Sequence, residues 1–190
     1  MSENKIYEVL FHARGGMGAV TAAELLCDMA FQEGFRDVLS VPLIGAERRG
    51  APIRANARIS QSREIKNYSE VKDPDITLIF DTSLLTLPGV LDGIKHGNLL
   101  LNTNEDFDVS SVPKDITIYT VDATKISLDV KLVVAGSPVL NVPMLGAYAK
   151  ITNHFTLNTM RKVLEETFGS KAALNIKAAE LAFEQVKKIR

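Results

Sequence analysis

The sequence predicts an α/β fold: a mostly parallel sheet with helices on both faces and a C-terminal helical segment. Three observations lead there. Short runs rich in β-formers alternate with stretches of helical periodicity. The Ile76-Thr77-Leu78-Ile79-Phe80 run is nearly unbroken in its apolar character, as in a strand covered on both faces. From Leu140 onward the pattern is helical. At 190 residues, 46% of them hydrophobic, the chain can hide roughly 70% of its unfolded surface. With no repeat or long linker to divide it, one domain over residues 1–190 is expected.

The elements follow in order. Ile6-Tyr7-Glu8-Val9-Leu10-Phe11 is short and rich in β-formers, and Arg14-Gly15-Gly16-Met17-Gly18 ends it. A helix is expected next, because Val20, Ala23, Leu26 and Ala30 recur at spacings of three and four until Gly34 supplies a stop. Cys27 lies on the same stripe and reads as a small buried hydrophobe. Val38 to Val41 is a second strand, broken by Pro42 for want of a backbone N–H. Its prolines, Gly45, Gly50 and the run Glu47-Arg48-Arg49 make Pro42 to Pro52 a loop of the kind that carries function. The alternation from Arg54 to Ser60 predicts a half-exposed strand with Arg54, Asn56 and Arg58 on one face. Further strands are expected at Leu99 to Leu101 and Ile116 to Val121, with a helix between Leu84 and Lys95. Pro143 suits a first helical turn, and Gly146, Ala147 and Ala149 give that helix a small-residue face. Thr156 can cap a following helix that stops at Gly169, and a last helix is expected from Ala172 to Lys188.

Composition excludes several classes of function. Twenty-two Lys+Arg stand against 23 Asp+Glu, which lacks the basic excess of a nucleic-acid binder. A single cysteine cannot build an internal disulfide, a Cys-pair zinc site or an iron–sulfur cluster, so any such group is expected on another chain. No apolar run approaches the roughly 20 residues that span a bilayer, and Ile6 to Phe11 is too short for a signal-peptide core. A cytoplasmic protein with no membrane partner is expected.

A glycine-rich turn between a first strand and a helix can cradle an anion on its backbone N–H groups, and Gly15, Gly16 and Gly18 are placed for that. The same glycines would equally serve a tight turn and close helix packing. Thr21 stands where a dinucleotide fingerprint wants a third small residue, and Asp37 precedes its strand instead of ending it. No Lys-Ser or Lys-Thr follows the glycines, which rules out a P-loop. His12, His96 and His154 lie in neither a triad nor a metal-binding spacing, so no catalytic or metal-ligating residue is assigned. His12 is the best placed of the three, and a solvent-facing or locally bonded role competes with ligand contact there. Asp73 and Asp75 bracket Pro74 as turn residues, and Asp81 ends the Ile76 strand. Glu47-Arg48-Arg49-Gly50 is the most suggestive polar cluster: its arginines can bind carboxylate or phosphate, or pair with a partner subunit.

Taken together, these residues carry a resemblance. Arg14-Gly15-Gly16-Met17-Gly18 with Thr21 to Leu25, Pro42 to Pro52 around Glu47-Arg48-Arg49-Gly50, Arg58-Ile59-Ser60, Asp75 to Asp81 and Asn141 to Gly146 resemble the gamma subunit of 2-oxoacid:ferredoxin oxidoreductases. Pyruvate synthase is the best-known member. Met17 departs from the glutamine that many relatives carry there. The resemblance implies a Rossmann-like fold and a complex that oxidatively decarboxylates a 2-oxoacid, by prior pyruvate, to acyl-CoA. It further implies thiamine diphosphate, Mg2+ and [4Fe-4S] clusters held by alpha, beta and ferredoxin-like delta subunits, with ferredoxin or a related acceptor. This chain would serve assembly and site completion and help form the coenzyme A approach. Arg14, Gly15, Gly16 and Gly18 are the implied anion or coenzyme A contacts; Glu47, Arg48, Arg49 and Gly50 form the implied interface or ligand loop. Two alternatives stay open: a free-standing Rossmann-type nucleotide-binding module, and the small subunit of an aryl-pyruvate or aryl-glyoxylate oxidoreductase.

Overall fold

A buried first strand, β1 (Ile6–Arg14), organises the computed structural model, which describes residues 5–43, 50–91, 94–104 and 107–190. Helix α1 (Ala19–Glu33) follows the glycine turn and ends where Gly34 takes a left-handed conformation. Strands β2 (Asp37–Leu43) and β3 (Pro52–Ser60) come next, then β4 (Ile76–Ile79), β5 (Asn98–Asn102) and β6 (Thr117–Val121). A short helix α2 (Ala123–Asp129) leads to a hairpin of β7 (Val133–Val134) and β8 (Ser137–Pro138). Helices α3 (Asn141–Thr152), α4 (Leu157–Phe168) and α5 (Ala172–Gln185) precede a final strand, β9 (Lys187–Lys188).

The main sheet has the order β2-β3-β1-β4-β5-β6-β9. Strands β1, β4, β5 and β6 are parallel to their neighbours in turn. Strand β3 is antiparallel to both β1 and β2, so β2 runs in the direction of β1; β9 is antiparallel to β6. From β1 the chain builds toward β2 on one side, and from β4 it builds toward β6 on the other. The carboxyl ends of β1 and β4 therefore flank a topological switch point, where open α/β sheets leave a crevice.

One face of the sheet carries Val9, Phe11, Ala57, Ile59 and Leu78 against Leu26, Met29, Met144 and Tyr148 of the helical layer. Each large side chain buried this way contributes about 1.5–3 kcal/mol. On the other face, Ile79, Leu99, Leu101 and Ile118 pack under Val90, Ile94 and Val112. That cover comes from connecting segments, including the 3-10 turns Thr82–Thr86 and Val109–Ser111.

Helices α3 and α5 touch backbone to backbone. A Cβ at Gly146 would clash with the carbonyl of Ala179, which is what the small-residue face of α3 provides for. Gly146→Ala is accordingly expected to lower stability by about 1–3 kcal/mol. Thermal unfolding would show this as a midpoint lowered by roughly 2–4 °C per kcal/mol for a chain of this size; an unchanged midpoint would contradict the close packing.

Several expectations are corrected. Strand β2 does not break at Pro42 but runs to Leu43, because it is the outermost strand, where proline is tolerated. The face of β3 carrying Asn56 and Arg58 is buried, not half-exposed, because residues 61–71 fold back over it; Arg54 alone stays exposed. Arg58 is 2% exposed, and its Nε donates to Glu8 Oε1 at 2.6 Å while Nη1 donates to the carbonyls of Ser69 (2.7 Å) and Asn67 (3.1 Å). Among the described residues no α-helix lies between Leu84 and Lys95: Pro88 and Gly89, the latter at φ 85°, limit the segment to the 3-10 turn that Asp81 caps. The last helix stops at Gln185 instead of Lys188, since Val186 turns extended and leads into β9. Thr156 and Gly169 bound α4 as expected.

Candidate functional site

At the switch point lies a cleft of about 430 Å³. Arg14, Gly15, Gly16, Met17 and Gly50 form one wall, Phe80, Asp81 and Thr82 the floor beside β4, and Asn102, Thr124, Ser137, Pro138 and Leu140 the opposite wall. Each group of residues arrives from a strand end: β1 delivers the glycine turn, β4 delivers Asp81, β5 delivers Asn102, and the hairpin closes over them.

Arg14 is the hub. Its Nε meets Asp81 Oδ2 at 2.6 Å, Nη2 donates to Ser83 Oγ at 2.6 Å, and Nη1 donates to the Gly50 carbonyl at 3.1 Å. Two backbone bonds reinforce the join, Gly15 N to Ala51 O at 2.8 Å and Gly50 N to Gly15 O at 3.1 Å. The glycine turn and the residues that begin β3 are thus one unit. Partial burial pushes the Asp81 carboxyl up, but hydrogen bonds from Ser83 and Arg14 outweigh it and hold the group below its ordinary value. Among the described residues lining the cleft, Arg14 and Asp81 are the charged side chains, and they neutralise each other.

The turn is less open to an anion than its sequence suggests. The N–H groups of Gly15 and Met17 are engaged within the protein, the latter with the Arg14 carbonyl at 3.0 Å. Gly18, at φ 85°, does not line the cleft; it packs against Asn141, whose Cβ would lie 3.3 Å from any Cβ added there. A residue other than glycine is thus opposed both by backbone conformation and by contact. Arg14, Gly15, Gly16 and Gly50 come together at the cleft, while Glu47, Arg48 and Arg49 lie outside the described residues.

The far wall carries residues that sequence reasoning did not single out. Asn102 Nδ2 donates to the Phe80 carbonyl (2.9 Å) and to Thr124 Oγ1 (3.0 Å), and its Oδ1 accepts from Thr124 N at 3.2 Å. This carboxamide ties the ends of β4 and β5 to the start of α2. Its position just after the Leu99-Leu100-Leu101 run was the available signal, because ligand-facing residues collect beyond the carboxyl ends of parallel strands.

The other candidates are placed elsewhere. His12 lies in β1, 5% exposed, and burial, then the Arg54 charge, pushes its imidazole down to about 4; it does not line the cleft. His154 is buried against Tyr148, sharing a 2.6 Å hydrogen bond through Nδ1, and His96 is exposed beside Asp73. Cys27 is buried in α1, and burial raises its thiol to about 12, so it is inert as a nucleophile. No group of three or more His, Cys, Asp or Glu among the described residues could hold a metal ion. No described helix is long and apolar enough to cross a membrane.

Comparison with known proteins decides the family. The model of the pyruvate ferredoxin/flavodoxin oxidoreductase family matches residues 8–185. The chain belongs to that family, as a gamma subunit. It is 38% identical over 185 residues to the pyruvate synthase subunit PorC of Methanothermobacter thermautotrophicus, covering 96% of this chain and 97% of the relative. The common gamma subunit of pyruvate/ketoisovalerate oxidoreductases from Thermococcus litoralis is 37% identical over 183 residues, 94% and 96% of the two chains. The crystal structure of the pyruvate oxidoreductase subunit PORC from Thermotoga maritima superposes with a TM-score of 0.83 at 31% identity, covering 98% of this chain and 99% of that one. The gamma chain is therefore a subunit of a multi-subunit pyruvate- or ketoisovalerate-type ferredoxin oxidoreductase, and the expected α/β fold is shared with its relatives.

Proposed function

We propose that this gamma chain completes and helps assemble a thiamine diphosphate-dependent, iron–sulfur 2-oxoacid oxidoreductase that converts pyruvate to acetyl-CoA. Its switch-point cleft would form part of the coenzyme A approach. The cleft at the ends of β1 and β4, walled by the glycine turn, carries this reading.

The residues present do not fit an iron–sulfur cluster, which needs several thiolates where this chain has the one buried Cys27. The clusters, thiamine diphosphate and Mg2+ are accordingly assigned to alpha, beta and ferredoxin-like delta subunits, with ferredoxin as acceptor and the cytoplasm as the compartment. Coenzyme A fits better. Met17, Phe80, Pro138 and Leu140 would offer apolar surface to its pantetheine arm, and Thr82 and Thr124 add hydroxyls to the lining. Because Arg14 is neutralised by Asp81, the phosphates would draw their counter-charge from elsewhere, and Arg48 and Arg49 immediately precede Gly50 in the chain. Bound coenzyme A supplies the thiol that accepts the acyl group; this chain's part is to hold and orient the arm.

Hydrogen exchange on the assembled complex tests the assignment. Adding coenzyme A is expected to slow exchange in residues 14–18, 80–83 and 137–140, and Asp81→Ala, which frees the Arg14 guanidinium from its carboxylate, is expected to strengthen that protection in residues 14–18. Protection confined to other subunits would remove the cleft from the coenzyme A path.

A further inference from the structure

The sheet face opposite α1 carries polar atoms that neither the core nor the cleft accounts for. Asn56 is wholly buried in β3, yet neither its Oδ1 nor its Nδ2 has a hydrogen-bond partner among the described residues. The same holds for His12 Nε2 in β1 and for Thr77 Oγ1 in β4, residues 5% and 0% exposed. The register gathers them. Leu10 of β1 is paired with Asn56 on one side and Thr77 on the other, and His12 is two residues further along β1 on the same face. Ser40 Oγ, also without a partner, is in register with Ala57 and so belongs to the opposite face.

Three polar side chains on one patch of a central sheet are not an accident of packing. A buried amide, imidazole nitrogen or hydroxyl left dry lowers the folding constant roughly tenfold or more for each group. Such groups are ordinarily satisfied by protein or by ordered water. We infer that this layer is an internal water site, with one water held between Asn56 and His12 and a second at Thr77. All three side chains are at most 5% exposed, and water is the small partner that both donates and accepts.

Chemistry agrees with geometry. Asn56 presents a donor and an acceptor together, and His12 Nε2 is either one according to tautomer, so a partner that both donates and accepts is required. Diagonal neighbours on adjacent antiparallel strands stand roughly 7–8 Å apart at Cα. One water within reach of both groups would satisfy them together. Thr77 lies two strands from Asn56, roughly 9–10 Å at about 4.8 Å per strand, which calls for a water of its own. The neutral state of His12 fits a site whose ligand carries no charge.

A crystal structure of the full chain at a resolution that shows ordered solvent tests this directly. Solvent density is expected within about 3 Å of the Asn56 amide and of His12 Nε2. Carbon atoms packed against those groups, with no density between, would overturn the inference. Thr77→Val, nearly isosteric, gives a second test by thermal unfolding. Loss of a hydrogen bond to water is expected to lower the midpoint, with the density at position 77 gone; a raised midpoint would mean that the hydroxyl had been dry.

Discussion

Lowering the pH from about 6.5 to 4 is expected to strip stability from the protein steadily, because two buried histidines are held as neutral imidazoles. Burial, aided by the Arg54 charge, brings His12 down to about 4. Burial also brings His154 down to about 4, against the pull of Asp75 and with the help of Lys5. In the unfolded chain both titrate near 6.5. Between those values the unfolded state takes up protons that the folded state refuses, so stability is intact above pH 6.5, falls through the window, and has lost the full contribution below 4. The upper limit is roughly 3 kcal/mol for each histidine. Urea unfolding at half-unit pH steps measures it, and His154→Gln should flatten the slope. A wild-type midpoint level from pH 6.5 to 4 would show that neither imidazole is held neutral by the fold.

Arg58→Ala is expected to cost about 2–3 kcal/mol, below the full range for breaking a buried ion pair, because Arg58 is 2% exposed while its partner Glu8 keeps 26%. Three acceptors lose their donor at once: the Glu8 carboxylate and the carbonyls of Asn67 and Ser69. Residues 61–71 would then lose the anchor that folds them over β3. Arg58→Lys should recover only part of the loss, because one ammonium cannot reproduce the guanidinium fork toward acceptors in different directions. Thermal unfolding reads the loss, and proteolysis near Asn67 reads the release of the segment. A variant with a wild-type midpoint and no new cleavage would show that the arginine is dispensable there.

How much of this was legible in the sequence depends on how local the cause is. The passage from β1 through the glycine turn into α1 could be read because strand propensity, glycine and helical period all act within a few residues. The Thr156 cap and the Gly169 stop are local in the same way. Arg58 could not be placed, because alternation places a side chain on a face but does not tell whether another segment will cover that face. The same distance effect hides the pairing of Arg14 with Asp81, which are 67 residues apart. The motif showed an arginine beside glycines, a shape that suggests anion binding; the fold supplies a carboxylate that satisfies much of it. The period from Ile176 to Phe183 carries a helix on toward Lys188, and only pairing with β6 draws the last residues into extended form.

The two outermost strands limit how the sheet can meet other proteins. An unpaired sheet edge is a template on which another chain can add a strand. Here one edge is β2, where Pro42 offers no N–H, and the other is the two-residue β9, formed by a pair of lysines whose charge repels a like edge. Continuation of the sheet into a neighbouring subunit is thereby disfavoured at both ends. The helix surfaces, the hairpin and the loops at the strand ends are the faces left free of that limit, and truncating β9 is expected to open one side to strand exchange between copies of the chain.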